Sequence, residues 1–301
     1  MPATLIHLPI FLASVSPDAK SVFNIEPQSM LGFLTSSVAV AAFVLLIILF
    51  YARKATTNMK LVPASALSAQ NIFEFVVEFL YGQIAGIVGP KLAPRAFPLL
   101  GTLFIFILVS NWFGLLPGVG TVGWGHGSGF LTIGTGEHDM MAPILRPPTA
   151  DLNLTVGMAI AAFLVWLVIT IQEIGVWGLI VHTFGPKGGL KGFMGMIVAA
   201  VFLFVGVIEV VSILIRPLTL SVRLYGNIYA GESVIHAMSS MLDGLGAPWS
   251  FLGNVILPIP FYFMELLVGL LQAMVFTLLC AVYIQLSTTH EDHGNAEGGH
   301  H

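Results

Sequence analysis

The sequence predicts an all-α integral membrane protein, and three observations carry that prediction. Hydrophobic residues make up 56% of the chain and charged residues only 9%. Mean hydropathy is +0.93. The apolar residues fall in long runs, parted by short polar stretches that hold most of the Lys and Arg. Soluble domains carry about 25% charged residues, so this chain cannot cover a water-facing surface and must take lipid as its main solvent. The net charge of −4 and the lack of a basic patch argue against nucleic acid as a partner. Cys280 is the single cysteine, so neither an internal disulfide nor a cysteine-based metal site is expected.

Residues 1–29 read as an exterior arm. Their apolar stretch is too short to span a bilayer, which takes about 20 residues, and the first cation, Lys20, comes too late for a signal peptide. The remainder, 30–301, reads as one membrane domain. A first span over about 30–51 ends at Arg53 and Lys54, with Lys60 beyond; cations collect on the cytoplasmic side, which puts the N-terminus outside. Residues 68–84 alternate at helical spacing (Ile72, Phe75, Val76, Phe79, Leu80) with an acidic row at Glu74 and Glu78, the pattern of an amphipathic surface helix. A span over 97–116 closes at Pro117-Gly118, and a Gly- and His-rich loop with one cation, Arg146, follows outside. The run Pro147-Pro148-Thr149-Ala150-Asp151 marks a helix start, with Thr149 or Asp151 as cap, for a span over 152–177. Two overlong apolar segments, 192–241 and 251–286, complete the membrane part. A helix of about 45 residues is nearly 70 Å long against about 30 Å of hydrocarbon, so the first either breaks, at Pro217, or lies far from the membrane normal. The tail over 288–301 is polar, and the C-terminus falls on the cytoplasmic side.

Ionisable residues inside these segments are few: Glu173, then Glu209, Arg216, Arg223, Glu232 and Glu265. Each costs at least about 2.5 kcal/mol near a bilayer centre, so they must face protein or water. At about 100° per residue, Arg216, Arg223 and Asn227 share one face, with Glu209 about 40° away and about 21 Å toward the cytoplasm. Glu232 lies about 180° round and about 13 Å toward the exterior of Arg223. Glu265 and Gln272 share a face of the last helix, Glu265 the more exterior. Acids displaced both along and around the helix fit two separate half-pathways better than one straight pore.

The segment Thr219-Leu220-Ser221-Val222-Arg223-Leu224-Tyr225-Gly226-Asn227-Ile228 resembles the signature around the essential arginine of subunit a of F-type ATP synthases. Tyr229-Ala230-Gly231-Glu232, Leu271-Gln272-Ala273, Ser110-Asn111 with Gly114-Leu115 and Pro117, and Ala150-Asp151-Leu152-Asn153-Leu154-Thr155 resemble further segments of that family, in family order. The resemblance implies one outer spanning helix, a surface helix, a transmembrane hairpin, and a long, strongly tilted helical hairpin curved against a rotating ring of c subunits. It also implies peripheral-stalk b subunits, an F1 catalytic sector reached indirectly and protons as the ion; the absence of a transit peptide points to a bacterial plasma membrane.

On this resemblance Arg223 stands between two half-channels. Guanidinium keeps its charge when poorly solvated, so it blocks leakage and favours the ionised form of a passing c-ring carboxylate. Glu232 and Glu265, with Asp151 a further candidate, would serve the exterior half-channel, and Glu209 and Ser212, with Arg216 nearby, the cytoplasmic one. Asn227 and Gln272 would orient Arg223 or water. Many bacterial members pair an acid at the Glu232 position with histidine at the Glu265 position; this chain has two acids, which disfavour double ionisation. Plainer readings stand beside these: Arg216 and Glu209 as an i, i+7 pair, His236 as a pore-mouth residue, His126 and His138 as solvated loop residues. No metal-ligand spacing and no P-loop occurs, so no cofactor is expected and ATP chemistry must lie with partners. The rival class is an ion-coupled secondary transporter with a buried Arg/Glu site, which should show internal repeats; none is visible.

Overall fold

The structure is a computed structural model describing residues 36–57, 68–116, 119, 122–125, 131–133, 140–143, 145–184, 193–241 and 256–288. The N-terminal arm, His126 and His138, and the tail after Thr288 lie outside these residues.

Among the described residues six helices form the body, all long and apolar enough to cross a membrane. Helix α1 (Ser36–Thr56) is a run of Ala, Val, Leu and Ile with Arg53 and Lys54 in its last turn, where cations complement the carbonyl end of the helix. Thr56 and Thr57 hydroxyls donate back to the Ala52 and Arg53 carbonyls at 2.9 and 2.6 Å. Helix α2 (Ala69–Val88) is capped by Ser68, whose hydroxyl accepts from the Asn71 N–H. It stops at Gly89, which takes φ 86°, a conformation that glycine adopts without strain. This is the helix that the sequence places on the surface; it is the least apolar of the six, yet long enough to span.

Helix α3 (Ala93–Gly114) begins with Pro94 in its first turn, a position where the missing N–H costs nothing. A three-stranded antiparallel sheet follows, β1 (Val122–Gly125) pairing with both β2 (Leu131–Ile133) and β3 (Met140–Pro143). The sequence shows this stretch only as a Gly-rich loop. A short 3-10 turn, Pro148–Ala150, then leads into α4 (Leu152–Phe184). Of the two caps expected, Asp151 serves: its Oδ1 accepts from the Asn153 N–H at 2.9 Å and its carbonyl from the Thr155 N–H. At Gly175 (φ 74°, ψ 161°) α4 leaves helical geometry, just past Glu173, which pairs with Arg95 of α3.

Helix α5 (Phe193–Ser240) runs 48 residues without interruption, about 72 Å at the α-helical rise. The break considered at Pro217 is not made. Pro217 is accommodated inside the helix, and the Ser221 hydroxyl donates to its carbonyl at 2.5 Å. Helix α6 (Ile259–Thr288) starts later than the sequence suggests, because Pro258 and Pro260 are tolerated only at or before a first turn.

The core lies among α2, α3, α4 and α6: Leu80, Ile84, Leu100, Phe104, Ile107, Trp166, Phe276 and Ile284, with alanines at 159, 162 and 273. These alanines let the helix backbones approach, the usual means of packing inside lipid, where burial of apolar surface supplies little drive. Cross-helix hydrogen bonds fix the register. Trp112 Nε1 donates to the Leu266 carbonyl (3.2 Å), and Trp166 Nε1 to Tyr283 O and Ser287 Oγ (3.0 Å each). Helix α5 packs mainly on α4 and, among the described residues, adds Leu220 and Leu224 to the core, with Ile213 packed against it. Leu203, Val207, Val211, Leu214, Leu218 and Val222 stay exposed along it.

Candidate ion-translocation site

Arg223 sits near the middle of α5 and is exposed, as are Thr219 and Ala230 on its side of the helix and Leu218, Val222 and Tyr229 farther round. Its neighbours Leu220, Ser221 and Leu224 turn inward and anchor that part of the helix. One turn on, Asn227 Nδ2 donates to Gln272 Oε1 at 2.7 Å, joining α5 to α6. Gln272 is buried, and its Nε2 has no hydrogen-bond partner. The structure thus brings together two amides that the sequence placed only on helix faces near Arg223.

The second meeting point is the acid pair. Glu265 is buried at 6% exposure, and its carboxylate lies against the backbone of Gly231, the residue before Glu232. A methyl group added at Gly231 would overlap that carboxylate. Glycine is therefore required here for close approach rather than for a special backbone angle. Glu232 itself is exposed on α5, beside that contact.

Glu265 Oε1 is buried without a hydrogen-bond partner among the described residues, and so are Asn111 Oδ1, Ser110 Oγ and Thr149 Oγ1. Asn111 is fixed from the other side, its Nδ2 donating to Gly269 O at 3.2 Å, one turn from Glu265. Each such atom costs about 1–3 kcal/mol if left dry, a cost that water relieves. Sequence reasoning did not single out Ser110, Asn111 or Thr149 as site residues. The available signal was two adjacent polar residues, Ser110 and Asn111, inside an otherwise apolar span.

Other candidates fall elsewhere. Asp151 is buried and occupied in capping α4, which accounts for it structurally. Glu173 joins Arg95 in an ion pair between α3 and α4, away from the acid pair. Glu209 and Ser212 lie on α5, half-buried and exposed. Arg216 lies over the Tyr283 ring, 4.6 Å from its centroid, a cation–π contact tying α5 to α6. Its guanidinium edges an apolar pocket lined by Leu99, Phe163, Trp166 and Cys280. His236 is exposed one turn beyond Glu232. No group of His, Cys, Asp and Glu among the described residues could hold a metal.

Residues 34–285 match the family model described as ATP synthase A chain. A protein of Sorangium cellulosum named ATP synthase subunit a is 31% identical over 236 residues, 78% of this chain and 73% of its own. One of the same name from Protochlamydia amoebophila is 30% identical over 261 residues, 86% and 81% of the two chains. A third, from Mycobacterium ulcerans, is 30% identical over 262 residues, 85% and 87%. With its six apolar helices and the arginine-bearing α5, the chain belongs to the ATP synthase A chain family.

Proposed function

We propose that the chain is the stationary channel subunit of an ATP synthase membrane sector, carrying protons through two offset half-channels to and from carboxylates on a rotating c ring. One observation carries this reading: Arg223 is exposed on an apolar flank of α5 and has no hydrogen bond or ion pair among the described residues. A lone cation facing lipid costs at least about 2.5 kcal/mol, so that flank calls for a partner bearing carboxylates. An α5 more than twice the thickness of a bilayer fits an oblique path along such a partner. The relatives named ATP synthase subunit a support the same assignment.

In this reading the exterior half-channel is the water-holding region at Ser110, Asn111 and Thr149, ending at Glu265 and Glu232. Asn227 and Gln272 form the floor beside Arg223. Glu209 and Ser212, about 16–21 Å along α5, mark the cytoplasmic route, with Arg216 beside them. A carboxylate arriving protonated must release its proton before passing Arg223, whose field favours the anion. Guanidinium cannot itself relay the proton, so the two routes stay separate. Peripheral-stalk subunits and the F1 sector would complete the machine, the N-terminus lying outside and the C-terminus in the cytoplasm.

The test is ATP-driven acidification of inverted membrane vesicles, with and without Na⁺, comparing the native chain with Arg223→Ala and Arg223→Lys. Both variants should abolish coupled pumping, because a poorly solvated lysine can lose its charge. Normal pumping by Arg223→Lys refutes the role, and pumping that needs Na⁺ refutes the proton.

A further inference from the structure

The pocket beside Arg216 is walled by four helices: Leu100 of α3, Ala162 and Phe163 of α4, Leu220 of α5, and Cys280 and Ile284 of α6. These walls are apolar, and among the described residues Arg216 is the one charge that lines them. The indole N–H of Trp166, also in the wall, is already spent on Tyr283 O and Ser287 Oγ. Arg216 is not so engaged. It is half-buried and lies over the Tyr283 ring, and among the described residues its guanidinium makes no hydrogen bond and no ion pair. Arg95, one turn before Leu99, is committed to Glu173. The nearest acid on α5, Glu209, stands about 10 Å away along the helix axis. The pocket also lies toward one end of the bundle. Leu100 is about 10 Å in from the start of α3 at Ala93, and Ile284 about 6 Å from the end of α6 at Thr288.

An apolar pocket stays dry and takes hydrocarbon. A guanidinium at its edge takes a phosphate, because its N–H fork matches phosphate oxygens and keeps its charge away from water. Basic pockets between membrane helices, near a bilayer surface, bind anionic headgroups in this way. One ligand meets both demands, an anionic glycerophospholipid. Free phosphate would leave the apolar walls uncovered, and a zwitterionic lipid would bring its own cation toward Arg216. We propose that this pocket is a binding site for anionic phospholipid, with a segment of acyl chain between α3, α4 and α6 and the phosphate on Arg216. The site concerns how the fold is seated in its bilayer and does not depend on the route the ions take.

The experiment uses the intact complex in phosphatidylcholine vesicles doped with phosphatidylglycerol that carries a diazirine on one acyl chain. After irradiation the labelled peptides are mapped. Label should fall on residues 99–100, 159–166 or 280–284. Phosphatidylcholine with the same chain should label them about fivefold less, and so should phosphatidylglycerol in Arg216→Gln, as expected for loss of one basic contact. Arg216→Lys should keep most of the label. Ala162→Phe, which fills the pocket and leaves the charge in place, should lose it. No label at these positions in the native complex, as when a partner subunit seals the pocket, overturns the proposal. Equal labelling by the two lipids, or undiminished labelling of Arg216→Gln, overturns it as well. Loss of label to an excess of inorganic phosphate would reveal a free-anion site and refute the lipid. Should the variants fail to assemble, the comparison of the two lipids in the native complex decides alone.

Discussion

Gly231→Ala is the smallest change that reaches the acid pair. The added methyl overlaps the Glu265 carboxylate, the far end of a flexible but buried side chain. Because the carboxylate can rotate and the backbone need not move, the stability cost lies near the low end of the overpacking range, about 1 kcal/mol. On the proposed function, with Glu265 as a proton carrier, the functional cost is larger, since displacing such a group by about an ångström lowers transfer at least tenfold. The assay pairs ATP-driven acidification with quantification of the assembled complex, so that loss of the complex is not mistaken for loss of transport. Assembly should stay near native while pumping falls about tenfold. Adding Glu265→Asp, which withdraws the carboxylate by one methylene, should relieve the overlap and recover part of the rate. Native pumping by Gly231→Ala, or a double variant no better than the single one, would refute the close approach as a working constraint.

Asp151→Asn should keep pumping near native because asparagine caps as well as aspartate, whereas Asp151→Ala should lower thermal stability by about 1 kcal/mol; a proton-pumping loss in Asp151→Asn alone would point to a relay instead. Gln272→Leu should leave the Asn227 amide without its acceptor and lower stability by about 1–3 kcal/mol, whereas Asn227→Ala/Gln272→Leu, which removes both partners, should lower it less, read by thermal melts of the complex. Protease-accessible tags at the two termini should lie on opposite membrane faces if α2 rests at the surface; tags on the same face would mean that α2 crosses as well.

The scarcity of charge made the membrane body legible, because it forces apolar faces everywhere, and the helix starts at Ser68 and Asp151 were legible from local capping chemistry. The faces of Asn227 and Gln272 could be read from helical periodicity, although their hydrogen bond requires the register between α5 and α6. Gly231 was opaque for the same reason: what demands glycine there is a carboxylate on another helix. Pro217 looked like a break. Inside a 48-residue helix the proline forfeits one hydrogen bond, while most of its neighbours remain regular.

The open flank of α5 bears on how a cell manufactures this chain. From Leu203 to Val222 the helix offers a ribbon of Leu and Val and then one exposed guanidinium, with only Leu220, Ser221, Leu224 and Ile228 buried against its siblings around that charge. A freshly inserted copy is an unfinished surface, prone to aberrant partners and open to membrane proteases. On the proposed function, synthesis is safest when the ring that covers this flank already waits in the bilayer, which makes the order of biogenesis a property written into one side of a single helix.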